Sequence, residues 1–173
     1  VENGVMDLGD GQVHSSPLMW AQALDLLFER LRERCDLSEL VAVSGSGQQH
    51  GTVYLNEAAA GTLAGLDADT PLASQLPHVL SRTTAPIWMD TSTTAQCREI
   101  EEQLGGSTEL LGLTGNTAFE RFSGPQVRKF AQLEPAAYKR TASIGLVGSY
   151  IASLLCGKLA PVDPGDGSGT NMM

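Results

Sequence analysis

VSGSGQQHGTVYL, residues 43–55, decides how this chain is read. Leu40, Val41, Ala42 and Val43 form an apolar run that reads as a short buried strand, and Thr52 to Leu55 reads as a second one. Between them Gly45, Gly47 and Gly51 supply backbone freedom and close approach around Gln48, Gln49 and His50. A strand that stops in glycines, two amides and an imidazole has the form of a loop facing a ligand.

Outward from that loop, strands and helices alternate. Residues 1–15 are polar and glycine-rich and suit a turn or hairpin leading to Ser16. Ser16 fits an N-cap and Pro17 the first helical position, with Leu24, Leu27, Phe28 and Leu31 following at helical spacing. That helix is expected to cover one face of the strand at 40–44. Residues 56–84 carry alanine, leucine and proline without a single period. Pro86, Ile87 and Trp88 suit a brief strand. Thr91 or Ser92 then fits the cap of a helix ending at Gly105 and Gly106, and Ser107 begins another turn. A further helix runs from Ser123 and Pro125 to Leu133, where Pro135 ends it. Ile144 to Leu155 reads as a buried strand passing into a helix stopped by Gly157. The alternation predicts an α/β fold.

Composition narrows the function classes. The 173 residues fit one domain, and 42% hydrophobic content is enough for a core. No apolar window is long enough to span a bilayer. A formal charge of −9 argues against nucleic acid and anionic membrane surfaces as partners. Cys35, Cys97 and Cys156 are odd in number and widely spaced, so neither a disulfide framework nor a zinc site is indicated. They read as reduced, mostly buried thiols of a cytoplasmic protein. The chain opens on Val1 and closes in PGDGSGTNMM as though another strand were about to begin, which reads as an excerpt of a longer polypeptide.

Familiar motifs fail on spacing. Gly45, Gly47 and Gly51 give G-x-G-x-x-x-G, one residue longer than the dinucleotide fingerprint. Ser44 stands where a nucleophile elbow around Ser46 needs glycine, and no G-K-S or G-K-T occurs anywhere. His14, His50 and His78 lack a local ligand partner, so no metal site is assigned. His14 and His78 read as structural. His50, past a strand end among amides, reads as a ligand contact. In FERFSGPQ, residues 119–126, Arg121 stands between Phe119 and Phe122, either as a stacked surface residue or as a fork of donors for hydroxyls. Asp90, in WMDTSTT, fits a helix start and is kept as a second-rank contact.

Taken together, SSPLMWAQALDLL, VSGSGQQHGTVYL, IWMDTSTTAQCREIE, LTGNTAFERFSGPQ and DGSGTN resemble, in this order, the xylulose kinase branch of the FGGY carbohydrate kinases. The resemblance implies an actin-like, ribonuclease H-like α/β fold. Residues 1–173 would be part of the first, sugar-binding domain, truncated at both ends. It implies phosphate transfer from ATP to the terminal hydroxyl of D-xylulose, with His50 and Arg121 on sugar-contacting positions and Gln49 and Asp90 beside them. ATP and Mg²⁺ would be bound mainly by parts missing from this chain, including the acidic phosphate loop and the C-terminal ATP-binding domain. Asp7-Leu8-Gly9-Asp10-Gly11 is a decoy for that phosphate loop, lacking its Thr or Ser and any apolar strand before it. Asp163 and Asp166 do not fit the family's general-base motif, so no catalytic residue is assigned. A non-catalytic sugar-binding or regulatory half-domain is the alternative, and a plain structural domain the third reading.

Overall fold

The computed structural model describes residues 3–172. Val1, where the polar leader was read to begin, and Met173, the second of the closing apolar pair, lie outside the described residues. In chain order the elements are β1 (Met6–Gly9), β2 (Gln12–Ser15), α1 (Pro17–Arg32), β3 (Thr52–Leu55), α2 (Ala59–Ala64) and α3 (Leu72–Gln75). A 3-10 turn (Pro77–Val79) follows, then β4 (Ala85–Pro86), α4 (Thr94–Leu104), α5 (Ser107–Thr114), α6 (Ser123–Leu133) and α7 (Pro135–Lys139). The chain ends through β5 (Ser143–Leu146), α8 (Val147–Cys156) and α9 (Pro164–Gly167).

β3 organises the molecule because both of its faces are covered. All four of its residues are buried, so a polar/apolar alternation is not required of it. Val53 and Leu55 join the larger core with Ala21, Leu24, Leu63 and Leu154. Tyr54, on the other face, packs with Val127 and Phe130 in a smaller one. β3 pairs antiparallel with β5 in the register Thr52↔Leu146 to Leu55↔Ser143. α8 follows β5 without a linker and stops at Gly157, whose φ of +66° is the left-handed cap the sequence predicts.

A second sheet joins β1, β2 and β4, again antiparallel. The Asp7–Gly11 segment is the tip of its first hairpin, with Gly9, Asp10 and Gly11 at φ +83°, +51° and +75°. The Asp7 carboxylate there accepts from the Gly9 N–H at 3.0 Å. α1 begins at Pro17 as expected, but the Ser16 side chain makes no cap bond; the Ser16 carbonyl accepts from Met19 N–H instead. α4 ends at Gly105 as expected, but its N-cap is Thr93, one residue after Ser92 and two after Thr91, the caps expected from the sequence. The stretch 56–84 resolves into short pieces that each supply one or two core residues, such as Leu63, Leu76 and Val79.

The predicted strand at 40–44 does not form. Leu40, Val41 and Val43 are 52%, 98% and 50% exposed. Residues 41–47 make no backbone hydrogen bond among the described residues. A strand is held by the ladder to a neighbour, and none of the described strands runs alongside this one. The segment instead borders an apolar groove of about 880 Å³ lined by Trp20, Leu27 and Phe28 of α1 and by Val147, Ile151 and Leu155 of α8. α1 therefore faces a groove where it was expected to cover a strand. The cysteines need a similar correction: Cys97 is buried, whereas Cys35 and Cys156 lie exposed beyond α1 and in the last turn of α8. Among the described residues no helix is long and apolar enough to cross a membrane.

Candidate functional site

The loop ahead of β3 is shaped by contact with α8. A Cβ on Gly47 would stand 2.6 Å from Val147 Cγ1, and one on Gly51 2.5 Å from Val147 Cγ2. Neither glycine has positive φ; the left-handed turn is made by His50 at φ +61°. The glycines thus give the close approach expected of them, but toward α8, and the sharp turn falls on the histidine. A non-glycine residue in that region costs free energy that its surroundings must offset.

Those surroundings hold the His50 ring. Its Nδ1 lies 3.1 Å from the Gly169 carbonyl oxygen, and its face meets Phe122 at a centroid distance of 5.0 Å. A carbonyl only accepts, so Nδ1 carries the proton and Nε2 is left as an acceptor. Burial lowers the His50 pKa, and nearby Arg121 pushes it the same way, against the opposing pull of Gly169 and Asp166. The net shift favours the neutral ring.

Arg121 stands in the turn that enters α6. Its guanidinium lies over Phe119 at 4.7 Å, and Phe119 meets Phe122 at 5.8 Å. His50, Phe122, Phe119 and Arg121 are therefore linked through one aromatic stack. Among the described residues Arg121 forms no ion pair, and none of the hydrogen bonds found uses its guanidinium. A half-buried cation with five unspent donors, beside a neutral imidazole with an open acceptor, suits a neutral polyhydroxylated ligand.

The segment 163–171 closes one side of this cluster. Asp163 caps α9, accepting from Gly165 N–H at 2.8 Å. The chain is then tied to α6 by Gly124 N–H donating to the Thr170 carbonyl at 2.7 Å. Asn116 Nδ2 donates to the Ser168 carbonyl at 2.8 Å. Asp166 is half-buried; burial raises its pKa, with His50 opposing the shift. Sequence reasoning gave this segment no role, although DGSGTN was one of the resembling motifs.

The remaining candidates separate. Gln49 is exposed beside His50, with no hydrogen bond among the described residues. Asp90 has no exposed surface. It accepts from Val13 N–H at 2.9 Å, from Ser92 Oγ at 2.6 Å and from Gln126 Nε2 at 2.7 Å. His14 Nε2 adds a contact at 3.5 Å. Burial pushes this carboxyl up, but the bonds from His14, Ser92 and Gln126 outweigh it and hold it well below the usual carboxylate range. Its oxygens accept from protein donors, unlike the open Nε2 of His50. His14 is structural as expected, and His78 is exposed, bonded to Thr62. No group of three potential metal-ligating side chains occurs among the described residues.

No family model matches the chain. Among curated proteins it is similar to Xylulose kinase 2 of Arabidopsis thaliana, 46% identical over 165 residues, covering 95% of this chain and 30% of that protein. It is 46% identical over 162 residues to Xylulose kinase of Mus musculus, covering 93% of the chain and 29% of the relative. The chain thus spans about 30% of the length of the curated relatives it matches. Among solved structures it resembles xylulose kinase from Rhodospirillum rubrum, with TM-score 0.73 at 17% identity over 95% of this chain and 31% of that one. Plasmodium falciparum glycerol kinase with ADP gives TM-score 0.72 at 17% identity over 98% and 31%. These likenesses establish the fold as the actin-like fold of the FGGY sugar kinases, matched in part of its first domain.

Proposed function

We propose that residues 1–173 supply part of the sugar-binding domain of an ATP-dependent kinase that phosphorylates D-xylulose to D-xylulose 5-phosphate. The observation that carries this reading is the pairing of an unspent Arg121 guanidinium with a neutral His50 acceptor on one aromatic stack. Support comes from the 46% identity to xylulose kinases, which extends over 95% of the chain. The two side chains would hold sugar hydroxyls, His50 Nε2 accepting and Arg121 donating, with exposed Gln49 at the rim. Fixing the sugar in this way acts by orientation, which contributes roughly 7–11 kcal/mol in favourable cases.

Mg²⁺·ATP does not fit the described residues. The Asp7–Gly11 turn is a hairpin tip with its carboxylate already bonded, and no carboxylate cluster accompanies it. ATP and Mg²⁺ would be held mainly outside residues 1–173, and no step through them is drawn from these residues.

Two measurements test the reading. D-Xylulose should raise the Tm of this protein and shift the His50 ring resonances, and the full-length protein should release ADP only with the ketose present. A Tm response without ADP would leave a non-catalytic sugar-binding domain. No response in either measurement would remove the sugar site altogether.

A further inference from the structure

The geometry points to Gly169 as a positioning residue: its carbonyl accepts a hydrogen bond from His50 Nδ1–H, keeps the proton on that nitrogen and so presents Nε2 to the ligand as an acceptor. The inference rests on the sugar-site reading above and adds to it the device that sets the direction of one hydrogen bond. An unconstrained imidazole exchanges its proton between two nitrogens, and only one tautomer accepts at Nε2. Here the choice is made from the far end of the chain, through a 3.1 Å contact.

Three observations make the carbonyl a fixed partner. The residues flanking Gly169 are both tied by their own carbonyls, Ser168 to Asn116 at 2.8 Å and Thr170 to Gly124 at 2.7 Å. Thr170 is itself buried and closes its hydroxyl onto the Gly167 carbonyl at 2.6 Å. The ring also crowds position 169, since a Cβ there would stand 3.0 Å from His50 Cε1, close enough to push the ring aside, and 3.5 Å from Nδ1. Gly169 is not in the left-handed region, so the backbone admits other residues and the constraint on its side comes from the ring. The charged groups around the imidazole are Arg121 ahead of α6 and Asp166 on α9, with Asp163 behind it. With cation and anion opposed, the direct carbonyl contact sets the tautomer.

The test is long-range ¹H–¹⁵N correlation of the His50 ring in this protein. The expected result is a pyrrole-like Nδ1 and a pyridine-like Nε2; the opposite pattern overturns the inference without any variant. Gly169→Ala, allowed by the backbone, should erase that preference and raise the xylulose KM of the full-length protein about tenfold with kcat nearly unchanged. A variant in which the Nδ1–H tautomer is lost and the KM stays unchanged also overturns the inference, because the carbonyl would then set no bond that the ligand uses. His50→Asn keeps a donor for the carbonyl and tolerates the left-handed turn, so it should retain Tm and lose the xylulose response. An Nδ1–H tautomer that ignores xylulose upholds the positioning role and removes the sugar reading instead.

Discussion

His14 and His50 are both held by hydrogen bonds from distant parts of the chain, yet they do opposite things. His14 is 3% exposed, and both ring nitrogens have partners, Thr84 at 2.8 Å and Asp90 at 3.5 Å. His50 is half-buried with one nitrogen satisfied and, among the described residues, the other open, next to a guanidinium that forms no ion pair with any of them. Buried polar groups are normally satisfied, so the first network is complete and belongs to the architecture. The second is satisfied only where it must be held still. What separates the two histidines is the count of unspent partners together with exposure, and the proposed binding role of His50 rests on both.

The largest expected effect would break the complete network. Asp90→Ala leaves Val13 N–H, Gln126 and His14 without their acceptor and should cost about 3–5 kcal/mol in urea denaturation. The acid limb of stability should carry the same signature. The folded Asp90 carboxyl titrates below its ordinary 3.8, so the unfolded chain takes up the proton first. Stability is full above that value and is lost as pH falls below it, and Asp90→Asn should flatten this limb. His50 has the same sign over a different range. Its stability contribution is full above 6.5 and declines as pH drops through its lowered folded value, a step His50→Asn removes.

The incomplete network should respond in the other observable. Arg121→Ala removes a stacked side chain and no ion pair, so its stability cost should stay under about 1 kcal/mol. Its xylulose affinity should fall about tenfold to a hundredfold by calorimetry. A variant that lost stability but not affinity would move Arg121 into the architectural class with Asp90. Gly47→Ala sharpens the boundary between the two classes. The new methyl must displace Val147, from which it would stand 2.6 Å, for about 1–3 kcal/mol.

The legible parts of the fold were those with local chemistry. Thr52–Leu55 is β-branched and aromatic, Pro17 and Gly105 mark helix ends, and the apolar run to Gly157 has length enough for a strand and a helix. Short pieces between 56 and 84 carry too few residues to show a period. Asp90 could not be classified from WMDTSTT, because the groups that occupy its oxygens, Val13, His14 and Gln126, come from remote segments. His50 and Arg121 were legible as residue types in motifs. Their linkage through Phe122 and Phe119 is a tertiary fact, as is the Gly169 carbonyl.

The smallest expected effect concerns the segment whose apolar sequence reads most like core. At 98% exposure Val41 contributes no buried area here, so Val41→Lys should change stability by no more than about 0.5 kcal/mol. The same substitution at Val53, fully buried in the strand twelve residues further on, would place an unpaired ammonium in the core at a cost of several kcal/mol. Two valines of equal hydrophobicity therefore differ only in whether a neighbouring strand exists to cover them. A loss at Val41 approaching that at Val53 would mean that residues 40–44 are covered in solution, and amide hydrogen exchange along 41–47 would locate the cover. Fast exchange there, beside protection in 52–55, would keep the contrast between a strand that has its ladder and a sequence that only has the pattern for one.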